Sequence, residues 1–159
     1  MGEHAARQSE VARILVVEDS EELRLLMELA LREEGFVVDG VSCAEDGARL
    51  LEICTYDLVL CDYSLPGHSG AWLLSHVLPR NGREGTRAVM ITGDPDAPGI
   101  PGDLKVLRKP LDFDRLLLQV RSIVEGPAQR AADARLESSS RSCGEAFRSS
   151  HPQSSAIPS

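Results

Sequence analysis

The sequence contains no apolar run of the roughly 18 residues that a membrane-spanning helix requires. Its N-terminus, MGEHAARQSE, lacks the apolar stretch of a secretory signal peptide. Met1-Gly2 begins like a myristoylation motif, but Ala6 stands where that motif needs Ser or Thr. These absences argue against an exported or lipid-anchored chain, and we expect a cytoplasmic protein without a membrane partner.

Cysteine is scarce, and none of the four residues present has the C-x-x-C spacing of a redox motif or zinc site. They are Cys43, Cys54, Cys61 and Cys143. We expect reduced thiols, the first three of them packed as small apolar side chains.

Positive charge is in deficit, with 17 Lys and Arg against 25 Asp and Glu and a net charge of −8. The acidic excess lies within residues 10–125. A domain this acidic repels phosphate backbones, which argues against direct nucleic-acid binding. It is compatible with the binding of a divalent cation.

Five short apolar runs alternate with amphipathic helical segments along the chain. The predicted strands are 13–18, 36–41, 57–62, 88–92 and 105–108. Ser42 with Glu45 forms a capping-box pattern, and Ser69 and Asp112 are predicted N-caps of later helices. Strands that are apolar on both faces and alternate with helices predict a parallel sheet covered on both sides. Residues 12–125 are therefore predicted to form a doubly wound α/β domain.

The two ends of the chain differ from this domain in composition. Residues 1–11 are predicted to be an N-terminal extension. Residues 126–159 carry nine Ser and little apolar periodicity, which predicts a disordered tail too short for an ordinary output domain.

Polar and charged side chains follow the carboxyl ends of four predicted strands. In chain order they are Glu18, Asp19, Asp62, Thr92 and Lys109. Ligands of open α/β sheets bind outside these strand ends, so we expect the five side chains to converge. Clustered carboxylates suit Mg²⁺, which completes its shell with waters and phosphate oxygens. A hydroxyl and an ammonium can hold phosphoryl oxygens, and an Asp can attack phosphorus to form an acyl phosphate.

This set of residues resembles the receiver domain of bacterial two-component response regulators over roughly residues 12–125. The resemblance rests on the acidic pair after strand 1, Asp-x-x-x-Pro-x-x-x-Gly beginning at Asp62, Thr after strand 4, and Lys-Pro after strand 5. It implies a receiver with a flavodoxin-like five-stranded sheet of order 2-1-3-4-5, which we expect to stand alone because the tail is too short for an ordinary output domain. It also implies a cis peptide bond between Lys109 and Pro110.

The resemblance further implies that Asp62 accepts a phosphoryl group from the phosphohistidine of a sensor histidine kinase or a histidine phosphotransfer protein. The reaction would depend on Mg²⁺. The chain would catalyse only its own phosphorylation and dephosphorylation, and it would signal by binding other proteins.

Roles for the neighbouring residues follow from the same resemblance. Asp19, the phosphoacceptor and the backbone carbonyl of Ser64 would bind Mg²⁺, and Glu18 would assist, often through water. Lys109 would pair with the phosphoryl oxygens, and Thr92 would donate a hydrogen bond to one of them.

Two other functions are compatible with parts of the pattern. A haloacid-dehalogenase-like phosphatase also has an Asp nucleophile after a strand, but it requires Asp-x-Asp, whereas this chain has Asp62-Tyr63-Ser64. A degenerate receiver that binds partners without phosphorylation is the stronger alternative. Taken singly, Glu18 and Asp19 are also explained as acids that complement a helix dipole.

The sequence departs from the family between the fourth and fifth strands. Residues 93–104, GDPDAPGIPGDL, carry a proline at every third position, and each interior proline costs a helix about 3 kcal/mol. We expect the family's fourth helix to be short or absent, as in an atypical receiver subgroup that shares Thr-Gly after strand 4. Val106 stands where many members have Tyr or Phe. Since that helix usually contributes to the dimer face, we expect a monomer whose 93–104 segment becomes ordered on phosphorylation.

Overall fold

The computed structural model describes residues 11–81 and 85–125. The predicted tail lies outside the described residues, as does the predicted N-terminal extension apart from Val11. In the described part of the chain, no helix combines the length and the apolar character needed to cross a membrane.

Five strands form one parallel sheet in the order β2-β1-β3-β4-β5. They are β1 (Arg13–Val17), β2 (Val37–Val41), β3 (Leu58–Asp62), β4 (Arg87–Thr92) and β5 (Lys105–Arg108). Each predicted strand differs from the observed one by at most one residue at either end. The predicted doubly wound fold and its strand order are confirmed.

Helices cover both faces of the sheet. They are α1 (Glu21–Glu33), α2 (Ala44–Ile53), α3, which joins the segments Gly70–Trp72, Leu73–Val77 and Leu78–Asn81, and α4 (Phe113–Val124). Residues 93–104 form turns and bends with no helix, which confirms that the helix between β4 and β5 is absent. The helix that follows β5 is therefore the fourth in this protein, α4.

The sheet separates two apolar cores because alternate strand residues point to opposite faces. Ile14 and Val16 of β1 pack with α1 and α4, whereas Leu15 and Val17 pack with α2 and α3. All five residues of β3 are buried. This central strand is held between two layers, so its last residue is fixed in position by packing on both sides.

The cysteines Cys43, Cys54 and Cys61 are free, and the last two are buried. Cys54 and Cys61 belong to the core beneath α2 and α3. The prediction of free, packed thiols is confirmed for Cys54 and Cys61, whereas Cys43 is only half-buried and Cys143 lies outside the described part of the chain.

The segment 93–104 packs against the domain although it lacks a helix. Ala97 is buried, and Ile100 and Leu104 contact the core beneath α2 and α3. The Tyr63 hydroxyl donates a hydrogen bond to the Pro98 carbonyl oxygen at 2.7 Å. The segment is thus attached both to the core and to the residue that follows Asp62.

The predicted N-caps agree with the structure at two helices and disagree at one. Ser69 accepts from the Trp72 amide at 3.1 Å, and Asp112 accepts from the Arg115 amide at 3.1 Å. The capping box of Ser42 and Glu45 was wrong. The N-cap of α2 is Cys43, and it forms no side-chain cap bond.

The reason for this difference is a tertiary contact. The Glu45 carboxylate accepts from the His68 amide at 3.0 Å and lies 2.7 Å from the His68 ring nitrogen Nδ1. A partner far away in sequence thus replaces the local bond that the capping box would have supplied.

Helix α3 changes its winding in a way that the sequence pattern did not predict. The segment Leu73–Val77 is π-helical, and the Leu78 amide donates to the Leu73 carbonyl five residues earlier. Pro79 lacks an amide hydrogen, and its ring clashes with the preceding turn of a regular helix. The wider turn just before Pro79 accommodates this residue.

Candidate functional site

The carboxyl ends of β1, β3 and β4 lie next to one another because these strands are neighbours in the sheet. Val17 of β1 is in register with Cys61, and Asp62 is in register with Ile91 of β4. The Glu18 amide extends the pairing of β1 by donating to the Val41 carbonyl at 3.0 Å. The backbone therefore delivers Glu18 and Asp62 to the same edge of the sheet.

Four of the predicted site residues meet at this edge. Carboxylate oxygens of Glu18, Asp19 and Asp62 lie within 4.8 Å of one another. The Lys109 Nζ atom lies 3.2 Å from Asp62 Oδ1 and 3.4 Å from Glu18 Oε1. The peptide bond between Lys109 and Pro110 is cis, as the family resemblance implied.

Burial and mutual repulsion control the charges of this cluster. Burial raises the pKa of the Glu18 carboxyl, and the Asp62 charge adds to this effect. Burial likewise raises the pKa of Asp62, although the Lys109 ammonium opposes the shift. Burial lowers the pKa of Lys109, but the Asp62 and Glu18 charges outweigh it, so the net shift is upward. The charged form of each carboxyl is therefore less favoured than in water, whereas the charged form of Lys109 is more favoured.

The donor set fits a divalent cation. Among the described residues, the buried Glu18 Oε1 atom has no hydrogen-bond partner of good geometry, although the Lys109 ammonium is close. A buried carboxylate oxygen without such a partner is costly, and a nearby cation would compensate it. One lysine does not neutralise three carboxylates, and oxygen ligands are those that Mg²⁺ prefers.

Thr92 and Ser64 relate to the cluster less directly. The Thr92 hydroxyl donates to the Asp94 carbonyl at 3.2 Å and accepts from the Asp94 amide at 3.0 Å. It is buried and bonded within its own turn. The Ser64 amide donates a hydrogen bond that lowers the pKa of Asp62 against the larger effect of burial. The role of the Ser64 carbonyl as a metal ligand stays a prediction.

The loop between β3 and α3 is fixed by close packing at its end. A Cβ atom on Gly70 would lie 2.1 Å from the Asp62 carbonyl oxygen, so only glycine fits without a shift of the backbone. The Gly70 amide donates to the Tyr63 carbonyl at 3.0 Å. This approach explains the glycine eight residues after the candidate phosphoacceptor.

The middle of the same loop is fixed by His68, to which the sequence analysis gave no role. Its ring stacks on Trp72 at a centroid distance of 3.9 Å. Its amide and ring bonds lower the pKa of Glu45 to about 2. No pattern in the sequence linked His68 to Glu45, which is 23 residues away.

A buried acid at the end of a central parallel strand, with two further acids and a lysine around it, defines an acidic class of site at the strand ends of a flavodoxin-like sheet. The profile of the response regulator receiver domain family matches residues 14–121. This chain belongs to the response regulator receiver domain family.

Curated relatives agree with this assignment. The transcriptional activator protein IrlR of Burkholderia pseudomallei is 32% identical over 136 residues, which cover 79% of this chain and 58% of the relative. The transcriptional regulatory protein TcrA of Mycobacterium tuberculosis is 33% identical over 138 residues, which cover 80% and 54%. The chain thus spans a little over half the length of these relatives.

Solved structures share the fold. A CheY-like receiver domain protein from Methanospirillum hungatei superposes with a TM-score of 0.68 at 23% identity, covering 77% of this chain and 99% of the other. The response regulator TrrA of Thermotoga maritima, solved in complex with Mg²⁺-BeF, gives a TM-score of 0.62 at 26% identity, covering 71% and 99%.

Proposed function

We propose that this chain is a phosphoacceptor receiver in which Asp62 takes a phosphoryl group from a phosphohistidine. The observation that carries the proposal is the buried Asp62 carboxylate with Lys109 Nζ at 3.2 Å and two further carboxylates within 4.8 Å. Structural acids are usually satisfied by hydrogen-bond donors, whereas this one lies among like charges that only the Ser64 amide and a single ammonium offset.

The reaction is a transfer between two nucleophiles. An Asp62 carboxylate oxygen attacks phosphorus, the bond between phosphorus and the histidine nitrogen breaks, and its electron pair stays on the imidazole, which leaves as a neutral ring because its other nitrogen carries a proton. The product is an acyl phosphate on Asp62. Hydrolysis later returns the carboxylate and inorganic phosphate. The chain therefore catalyses only reactions of its own side chain.

The surrounding residues orient and stabilise these charges. Lys109 moves from pairing with Asp62 to pairing with the transferred phosphoryl oxygens. Thr92 leaves its bond to Asp94 and donates to another phosphoryl oxygen. In both steps, a side chain that already lies at the strand ends comes into contact with the transferred phosphoryl group.

Mg²⁺ would be held by Asp19, Asp62 and the Ser64 carbonyl, with Glu18 assisting. Bound there, it would neutralise the negative charge that develops on the phosphoryl oxygens. The acidic cluster supports this assignment, as does the Mg²⁺-BeF complex of the relative TrrA.

The proposed partner is a sensor histidine kinase or a histidine phosphotransfer protein. A related solved structure is of histidine kinase ThkA in complex with response regulator TrrA. We propose a cytoplasmic monomer that signals through protein contacts, with no direct binding of nucleic acid because of its charge of −8.

Incubation with acetyl phosphate and Mg²⁺, followed by intact-mass measurement, tests the proposal. We expect an acid-labile gain of one phosphoryl group that disappears in Asp62→Asn and without Mg²⁺. An unchanged mass in the wild-type protein would support the degenerate receiver instead. A gain that persists in Asp62→Asn would place the phosphoryl group elsewhere.

Titration with Mg²⁺ tests the metal site separately. We expect an affinity in the millimolar range, because few protein ligands and several waters are involved. Asp19→Asn should weaken binding more than Glu18→Gln, since Asp19 is the direct ligand. Equal affinities in the wild type and both variants would contradict the site.

A further inference from the structure

The turn that carries Glu18 and Asp19 is bound to α1 by one arginine. The Arg24 Nη1 atom donates a hydrogen bond to the Glu18 backbone carbonyl at 2.9 Å. That carbonyl belongs to the peptide group that joins Glu18 to Asp19. A donor on it restricts rotation of the peptide plane, and so restricts where the Asp19 carboxylate can lie.

We propose that Arg24 is a positioning residue for the metal ligands, an inference that rests on the proposed function. It touches no substrate or metal and acts through the Glu18–Asp19 peptide. Groups that hydrogen-bond to metal ligands orient those ligands. Here the hydrogen bond would be made to the backbone of the ligands rather than to their side chains.

Arg24 is itself held rigidly, as a positioning residue must be. Its side chain is only 17% exposed, and its Nε atom lies 3.8 Å from Glu28 Oε2. Glu28 is buried, and it fits over β2 because residue 40 is glycine. A Cβ atom on Gly40 would lie 2.0 Å from Glu28 Oε2 and 3.3 Å from Arg24 Cδ.

The other hydrogen bonds described for this turn use acceptors other than the Glu18 backbone carbonyl. The Glu18 amide donates to the Val41 carbonyl at 3.0 Å, and the Ser20 amide donates to Glu18 Oε2 at 3.1 Å. The Arg24 amide donates to the Ser20 carbonyl at 2.8 Å. Arg24 therefore hydrogen-bonds to the turn through both its backbone amide and its side chain.

A purely structural role for Arg24 is the alternative, and the chain offers a matched control for it. Arg32 lies on the same helix and also pairs with Glu28, through Nη2 to Oε1 at 3.0 Å. Its backbone acceptor, however, is the Val38 carbonyl of β2 at 2.9 Å. Loss of Arg32 removes the same kinds of interaction without touching the turn.

The experiment compares Arg24→Met with Arg32→Met in the full chain. Methionine keeps the apolar stem and removes the donors. Mg²⁺ affinity is measured from amide chemical shifts of labelled protein. Hydrogen exchange of the Ser20 amide is measured without Mg²⁺, and thermal unfolding reports stability.

We expect Arg24→Met to weaken Mg²⁺ binding about tenfold, which is the lower end of the range expected when a group that orients metal ligands is removed. Arg32→Met should change the Mg²⁺ affinity less than about twofold. Ser20 amide exchange should accelerate only in Arg24→Met. Arg24→Lys should recover part of the affinity, because an ammonium can donate to the same carbonyl.

Outcomes separate the two proposals. A wild type that binds no Mg²⁺ and gains no phosphoryl group overturns the proposed function and this inference with it. A wild type that binds Mg²⁺, with Arg24→Met binding equally well, overturns the positioning role alone. Equal weakening in Arg24→Met and Arg32→Met also overturns it, because the effect would then follow general stability.

Discussion

Strand β3 has an acid at each end, and the two are buried to the same extent but surrounded differently. Asp57 precedes the strand and Asp62 ends it, and each residue is 3% exposed. The Asp57 carboxylate accepts from the Arg13 amide at 2.7 Å, while its own amide donates to the Arg13 carbonyl at 2.8 Å. Asp62 faces the Glu18 carboxylate and the Lys109 ammonium instead.

The comparison shows that burial alone does not distinguish a structural acid from a candidate phosphoacceptor. Asp57 joins the amino ends of neighbouring strands, and its carbonyl also accepts from the Arg87 amide at 3.0 Å. Asp62 gains less from its neighbours than burial costs it, and its pKa is raised. Asp62 also accepts from one backbone amide, that of Ser64, but like charges surround it, whereas backbone hydrogen bonds hold Asp57 as part of the framework.

The largest expected effect is on phosphorylation. Asp62→Asn should abolish the acid-labile mass gain, because an amide lacks the anionic oxygen that attacks phosphorus. Asp57→Asn should retain it, because that carboxylate lies at the other end of the strand. Intact-mass measurement after incubation with acetyl phosphate and Mg²⁺ compares the two. Equal loss in both variants would remove the functional distinction between the acids.

The next expected effect concerns the backbone at the reactive end. Gly70→Ala should destabilise the protein by about 3 kcal/mol, because the new Cβ meets the Asp62 carbonyl, which cannot move as a side chain could. Gly102→Ala is the control, since a Cβ there meets nothing within 4 Å. Urea unfolding measures both. Equal stability of the two variants would show that the loop after β3 adapts freely.

A smaller loss is expected at the structural end. Asp57→Ala should destabilise the protein by about 1–3 kcal/mol, because it leaves the part-buried Arg13 amide without its side-chain acceptor. Asp57→Asn keeps an acceptor oxygen and should lose much less. Urea unfolding at neutral pH tests this order, which a smaller loss in the alanine variant would contradict.

The smallest expected effect is a gain in stability that depends on pH. The folded pKa of Asp62 is raised above its unfolded value, so its contribution to stability is fully present below about pH 3.9 and is lost as the pH rises through the folded pKa. Asp62→Asn should therefore melt slightly higher than wild type at pH 7, and the difference should shrink toward pH 4. A difference that grows as the pH falls would mean that the pKa is lowered.

Much of the fold follows from local patterns. The apolar runs placed all five strands within one residue, since strands buried on both faces leave little freedom in register or extent. Ser69 and Asp112 cap their helices because an N-cap bond spans only three residues. The prolines of residues 93–104 excluded a helix for an equally local reason.

Two contacts that the sequence did not predict join partners that are distant in sequence. Glu45 was expected to complete a capping box but bonds to His68 instead. The link from Tyr63 to Pro98 joins residues 35 positions apart. The π-helical turn of α3 was also missed, although Pro79 gave a local signal for it.

The sequence by itself determined which side chains stand at the carboxyl ends of the strands, because strand ends and their order along the chain are local properties. The tertiary structure alone decided for which of these side chains burial and neighbouring charges disfavour the charged form. Asp57 and Asp62 have different surroundings only when the strands are packed together. The hydrogen bond from Arg24 to the Glu18 carbonyl likewise exists only when α1 packs against the strands. Electrostatic energy depends on distance and burial in space, and sequence spacing records neither.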